Sequence, residues 1–184
     1  MRVLVANPPA AIVSLATAKE HLRVVTNDED ALITGYIAAA QSSIDGPRGW
    51  LGRSIVSQTL ELRVRTFDRT ALLPYGPVQS IASVKYDDLA GAEQTVAAET
   101  YELSEGALAL RPGAAWPTPK DATEAVRIRY VAGYEAVPQA VVQAVLLLVG
   151  QWYRNRSAIN VGTIVSSLPN GVEALLSPYR NLAG

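Results

Sequence analysis

The chain has no cysteine among its 184 residues, which excludes a disulfide scaffold, a thiolate nucleophile and a cysteine metal site. The redox compartment stays open, because lack of cysteine suits any of them. Histidine occurs once, as His21, between Glu20 and Leu22. One imidazole completes a usual zinc site only if carboxylates or another chain join it, so a surface or packing role explains it better. Charge of one sign is missing too: 16 Lys and Arg face 17 Asp and Glu, and 49% of the residues are hydrophobic. That balance excludes a disordered chain and a strongly basic nucleic-acid binder. No apolar run is long enough for a membrane span, since Gly150 and Gln151 interrupt the one around Leu146. The opening MRVLVANPPAAIVSLA contains Pro8-Pro9 and no long apolar stretch, so no signal peptide is expected. The length suits one sizeable core, or a core domain carrying a smaller one.

What is present is organised around residues 137–156, VPQAVVQAVLLLVGQWYRNR. Pro138 suits an early helical position, where its missing N–H costs nothing. Val141, Val142, Val145, Leu146, Leu148, Val149, Trp152 and Tyr153 then recur at three- and four-residue spacings. The resulting face is broad, predicting a central helix touched by other parts of the chain and by neighbouring subunits. Arg154, Asn155 and Arg156 mark its end, where positive charge suits the helix dipole.

Residues 1–13 read as an extended lead-in. Ser14 is the expected N-cap of a short helix bearing Leu15, Ala18 and Leu22. Thr26 and Glu29 offer a capping box for a second helix over about 27–45. Its stripe is Ile33, Ile37, Ala40 and Ile44, flanked by Leu32 and Tyr36, and Gly46-Pro47 stops it. The period then changes. Residues 55–67 alternate Leu60, Leu62, Val64 against Thr59, Glu61, Arg63, Arg65, a strand with one wet face. Further strands are expected at 81–86, 94–96, 101–103, 107–110 and 125–131, with a turn at 88–91 and a proline-rich loop at 111–119 carrying Trp116. After the long helix, Val161, Ile164 and Val165 suit an extended arm or a hairpin, and residues 172–179 a short helix ended by Pro178.

The expected class is therefore α+β. Residues 1–54 form the N-terminal helical part of the core, 55–135 a mostly antiparallel β insertion, 136–157 the long core helix, and 158–184 a C-terminal arm with a short helix. No internal repeat or low-complexity tract is visible.

Motifs of chemistry are weak throughout. Asp28-Glu29-Asp30 lacks the spacing and glycine of a calcium loop and suits a helix start instead. The glycines of 46–52 (GPRGWLG) are followed by no Lys-Ser or Lys-Thr pair, so a tight turn with Trp50 and Leu51 tucked onto the helices is expected rather than a phosphate loop. Asp87 and Asp88 read as a solvated turn. No serine lies in a nucleophile elbow, and a small hydrolase would need His21 and a carboxylate to converge in a cleft. No enzyme activity, cofactor or metal site is expected. Arg63, Arg65, Arg127 and Arg129 could line one sheet face, yet ten acidic residues share the same region. That mixture predicts a salt-bridged solvated sheet rather than a phosphate-binding stripe. Arg154, Arg156 and Arg180 stand nearly without acids and suit an acidic partner or a nearby polyanion. Trp152 and Tyr153 read either as core packing or as an interface anchor.

The order of several stretches resembles the phage head-to-tail connector family, the adaptor or head completion proteins, including the adaptors of phage-like gene transfer particles. The stretches are 15–24 (LATAKEHLRV), 28–41 (DEDALITGYIAAAQ), 46–59 (GPRGWLGRSIVSQT), 83–86, 126–134, 144–156 (AVLLLVGQWYRNR) and 161–180, ending in VEALLSPYR. The likeness covers almost the whole chain. It implies a structural adaptor that forms a ring between the portal and the neck or tail of a phage-like particle. By the same resemblance the ring would have twelve subunits, with the portal above and a neck or tail-completion protein below. DNA would pass through its channel without sequence-specific reading. Assembly in the bacterial cytoplasm and residence in the particle neck follow from it, with no membrane involved. Residues 160–184 would contact the portal or the adjacent subunit. The candidate contacts are Trp152, Tyr153, Arg154, Arg156, Val161, Ile164, Val165, Leu175, Leu176, Tyr179 and Arg180. The family brings no catalytic residue or cofactor. Near-neutral net charge departs from strong DNA gripping, which a sliding channel does not need. Heterologous ring contacts would also account for surplus apolar surface on the long helix. The alternative reading is a non-specific nucleic-acid-binding module.

Overall fold

Two periods in the sequence produce two units in the computed structural model, which describes residues 1–7, 9–155 and 168–181. Helices build one unit, Ala11–Gly52 with Ala136–Gly184; strands build the other, Met1–Ala10 with Arg53–Glu135. The class is α+β, with the β region inserted between the second and third helices.

In the helical unit, α1 (Leu15–Leu22) begins as expected: the Ser14 hydroxyl accepts the Thr17 N–H at 3.1 Å. It ends on Arg23 in the left-handed conformation, whose N–H turns back to the last carbonyls. Helix α2 (Asp30–Ile44) starts later than expected, and no Thr26–Glu29 capping box forms. Glu29 itself occupies the cap position without a side-chain bond to the helix, and its carboxylate accepts the Tyr153 hydroxyl. Ile33, Ile37, Ala40 and Ile44 are buried, as the stripe requires. They pack on α3 (Gln139–Arg154), whose Val141, Ala144, Val145, Leu148 and Val149 are also buried. Each buried Ile, Val or Leu side chain in this seam contributes about 1.5–3 kcal/mol. Gly150 has a reason the sequence did not disclose: a Cβ there would lie 3.3 Å from His21 Nε2, so α1 approaches α3 closely at that point. A short helix, α4 (Asn170–Leu176), closes the unit against α3 through buried Val172 and Leu176.

The strands of the β unit are β1 (Arg2–Asn7), β2 (Gln58–Val64), β3 (Thr70–Leu72), β4 (Val78–Asp87), β5 (Glu93–Thr95), β6 (Tyr101–Ser104), β7 (Ala107–Leu110) and β8 (Val126–Ala132). Five form one antiparallel sheet in the order β1-β2-β8-β4-β5, and three form a second in the order β3-β7-β6. The extended lead-in is thus an edge strand: β1 pairs with β2, so the β region recruits the N-terminus. Register places Leu60 opposite Tyr130 and Leu62 opposite Ile128. These side chains share one core with Val84, Val126, Leu73, Tyr101 and Leu108. Tyr130 is fully buried, and its hydroxyl donates to the Pro74 carbonyl at 2.8 Å. Trp116 stacks on Phe67 at 4.6 Å between ring centroids, pinning the proline-rich loop to the sheets. The expected turn forms at 88–91, where the Asp88 carboxylate accepts the Ala90 and Ala92 N–H groups.

Candidate assembly interface

The last turn of α3 presents the residues for which the sequence left core and interface open. Trp152 is half-buried, with its ring 6.3 Å from that of Tyr36 on α2 and tilted by 60°. Tyr153 is also half-buried, and its hydroxyl donates to the Glu29 carboxylate. Both therefore knit α3 to the start and middle of α2 while leaving part of each ring accessible. Arg154 is exposed; its Nε donates to the Gly150 carbonyl at 3.1 Å, which quiets one acceptor at the helix end.

On α4 the apolar residues divide by face. Leu176 is fully buried within the helical unit, whereas Leu175 and Tyr179 are half-buried and Arg180 is exposed. Arg180 lies over Trp50, its guanidinium carbon 4.4 Å from the ring centroid. The neighbouring Asn181 N–H donates to the Leu51 carbonyl at 2.8 Å. So the end of α4 docks on the 46–52 loop. That loop is a tight turn, as expected. Trp50 and Leu51 donate their N–H groups to Ser43 and Ile44 at the end of α2, and Leu51 is buried. A Cβ on Gly49 would lie 2.3 Å from the Ile44 carbonyl carbon, so only glycine permits this fold-back. Arg156, Val161, Ile164 and Val165 lie outside the described residues.

The second candidate surface is the charged face of the five-stranded sheet. Its arginines Arg2, Arg63, Arg127 and Arg129 are all ion-paired, Arg2 with Glu124, and so is Arg65 just past the end of β2. Arg63 meets Glu61 at 2.7 Å and Glu124 at 2.8 Å; Arg127 meets Asp87 at 2.5 Å and Glu93 at 3.1 Å. Arg65 pairs with Asp121, and Arg129 with Glu61 at 2.5 Å. This is the salt-bridged sheet that the acid content predicted. The wet face is not wet at Glu61, however, whose side chain is only 4% exposed. Its flanking arginines cover it. Burial disfavours its charge, but hydrogen bonds from Arg129 and Arg63 outweigh that and hold the carboxyl below the usual range. Asp87 is held well below the usual carboxylate range by hydrogen bonds from Arg127 and Lys120.

Sequence reading did not identify Trp50, Glu29 or Tyr36 as partners of the candidate contacts. The tucked Trp50 was legible, but its pairing with Arg180 joins positions far apart in the chain. Among the described residues no group of three or more His, Asp or Glu side chains could hold a metal ion. Among them, too, no helix is long and apolar enough to cross a membrane.

The family model for the head completion protein matches residues 11–182. Solved structures agree in fold over the full length. A chain from the neck of an empty gene transfer agent (GTA) particle, computed with C6 symmetry, is 26% identical with a TM-score of 0.76, covering 100% of this chain and 99% of that one. One from the virion of a native gene transfer agent particle is 27% identical with a TM-score of 0.75, again covering 100% and 99%. A third, from the neck of a native GTA particle computed with C12 symmetry, is 24% identical with a TM-score of 0.67, covers 98% of each chain, and bears on the fold alone. No curated protein matches the chain. The family match spans nearly the whole sequence, as the resemblance of its ordered stretches implied: the chain belongs to the head completion protein family, and its role is structural rather than catalytic.

Proposed function

We propose that this chain is the adaptor of a phage-like particle, a ring of copies set between the portal and the next neck or tail component. The observation that carries the proposal is the full-length likeness to chains from a gene transfer agent neck and virion, at TM-scores of 0.76 and 0.75. Twelve copies would match a twelvefold portal, and DNA would pass through the central channel. Contacts with the portal or the next copy would use the accessible parts of Trp152, Tyr153 and Arg154 with Leu175 and Tyr179, joined by residues 156–167. A channel of this kind needs passage rather than grip. The pairing of every sheet-face arginine with a carboxylate suits that need and weakens the alternative of a free-standing nucleic-acid module.

The test is the mass of the purified protein in solution, alone and with the portal protein of the same particle. A version ending at Ser157 is measured in parallel. A discrete ring complex that forms with the portal and is lost on truncation supports the adaptor. A monomer that ignores the portal under assembly conditions overturns it.

A further inference from the structure

The 46–52 loop and the end of α4 meet in a small, well-defined contact within the helical unit. Arg180 covers the Trp50 ring at 4.4 Å, the Asn181 N–H donates to the Leu51 carbonyl at 2.8 Å, and the Asn181 side-chain amide donates to the Gly52 carbonyl at 3.4 Å. The loop side of the contact is built for rigidity. Leu51 is fully buried, the Trp50 and Leu51 N–H groups satisfy the last carbonyls of α2, and Gly49 sits where any side chain would collide with backbone. Gly52 holds φ +61°, a conformation that points its carbonyl at Asn181 and that side-chain-bearing residues rarely adopt. The C-terminal side, by contrast, is a helix of seven residues followed by a single 3-10 turn. So short a helix has little stability of its own in water. Val172 and Leu176 anchor one side of it, and this contact lies just past its C-terminal end.

We infer that Trp50, Leu51 and Gly52 form a clamp on Arg180 and Asn181 that pre-orders the C-terminal helix for docking. Arg180 then acts within its own chain, as a positioning residue, and the docking face falls to its half-buried neighbours Leu175 and Tyr179. The physical gain is entropic. A short helix that is already ordered loses less freedom when a partner binds, so affinity rises without any new contact across the interface. This second step rests on the adaptor reading above; the ordering of the helix does not.

The experiment compares the full-length chain with Arg180→Ala, Arg180→Lys, Trp50→Ala and Trp50→Tyr. Backbone hydrogen exchange over residues 170–181 is measured in the protein alone. The same proteins are then titrated with the portal protein of the same particle. An exposed cation–π contact corresponds to roughly a 2- to 5-fold effect. Arg180→Ala should therefore speed exchange over 170–181 by about that factor, leave α2 and α3 unchanged, and weaken portal-dependent assembly in proportion; Trp50→Ala should speed exchange over 170–181 at least as much. Trp50→Tyr, which keeps a π face, should restore much of both. Unchanged exchange over 170–181 in Arg180→Ala overturns the clamp; this exposed side chain can be removed without threatening the fold, unlike Trp50. Faster exchange with unaltered or stronger assembly overturns the docking role and leaves only a structural contact. If the unaltered chain fails to assemble, the adaptor reading falls together with the docking role, while the exchange result still decides the clamp.

Discussion

Glu61 on β2 and Arg129 on β8 stand directly opposite each other, and the guanidinium Nε donates to the carboxylate at 2.5 Å. Arg63 takes the other carboxylate oxygen at 2.7 Å. A nearly buried anion is thereby shared between two arginines on adjacent strands, and Arg63 passes the chain of charges on to Glu124 and Arg2.

This arrangement predicts a specific response to acid. Glu61, Asp87, Asp88, Glu93 and Glu124 all have folded-state values below their ordinary ones of 4.5 for Glu and 3.8 for Asp. On acidification the unfolded chain therefore binds protons first. Stability is full above the ordinary values and falls as pH drops through about 4.5 toward the folded values. Glu61→Gln leaves two arginines short of a counter-charge and should cost about 1–3 kcal/mol at pH 7, with a shallower loss toward pH 3. Urea denaturation across that pH range checks it; parallel profiles for variant and wild type would show that Glu61 does not titrate with folding.

Glycine positions separate backbone collision from side-chain crowding. Gly49→Ala places a Cβ 2.3 Å from the Ile44 carbonyl carbon and should cost at least about 3 kcal/mol, because α2 and the loop cannot both keep their places. Gly150→Ala meets side chains rather than backbone: the exposed ring of His21 at 3.3 Å and the Arg154 guanidinium at 3.8 Å. A small rotation relieves it, and the helix gains up to ~1 kcal/mol from alanine. Thermal unfolding of the two variants should move in opposite directions, or at least differ by several degrees.

Tyr153→Phe removes the hydroxyl that bonds the Glu29 carboxylate while keeping the ring. A loss of about 1–2 kcal/mol is expected. Chemical denaturation gives the size, and an unchanged midpoint would mean that water replaces the hydroxyl without penalty.

The exposed pair Arg65–Asp121 is the control for the sheet face, with side chains 67% and 77% accessible. Arg65→Ala should change stability by less than ~1 kcal/mol. If the paired arginines are structural, Arg129→Ala should lower stability and leave any residual affinity for duplex DNA, read by salt titration, unaltered. A large drop in DNA affinity and in its salt slope would revive the nucleic-acid reading.

Periodicity alone placed the stripe Ile33, Ile37, Ala40, Ile44, the apolar face of α3 and the alternation of β2 and β8, because burial of one face repeats at the period of the element. Ser14 as a cap and the Asp88 turn were legible for the same kind of reason: each is a local contact within a few residues. The family was legible in the order of its stretches, and the match over residues 11–182 agrees.

What only the tertiary structure decided are relations between residues distant in the chain. Residues 2–7 become an edge strand because β2, some fifty residues later, offers its free side. The Thr26–Glu29 box does not form because α2 begins only at Asp30, and the Glu29 carboxylate instead bonds Tyr153, far along the chain. Glu61 occupies a position that alternation assigns to solvent, yet two arginines from a strand and its neighbour close over it. Arg180 finds Trp50 rather than a carboxylate. Local propensity and periodicity act over one or two turns or strands, whereas each of these outcomes depends on which side chains the fold brings within a few ångströms.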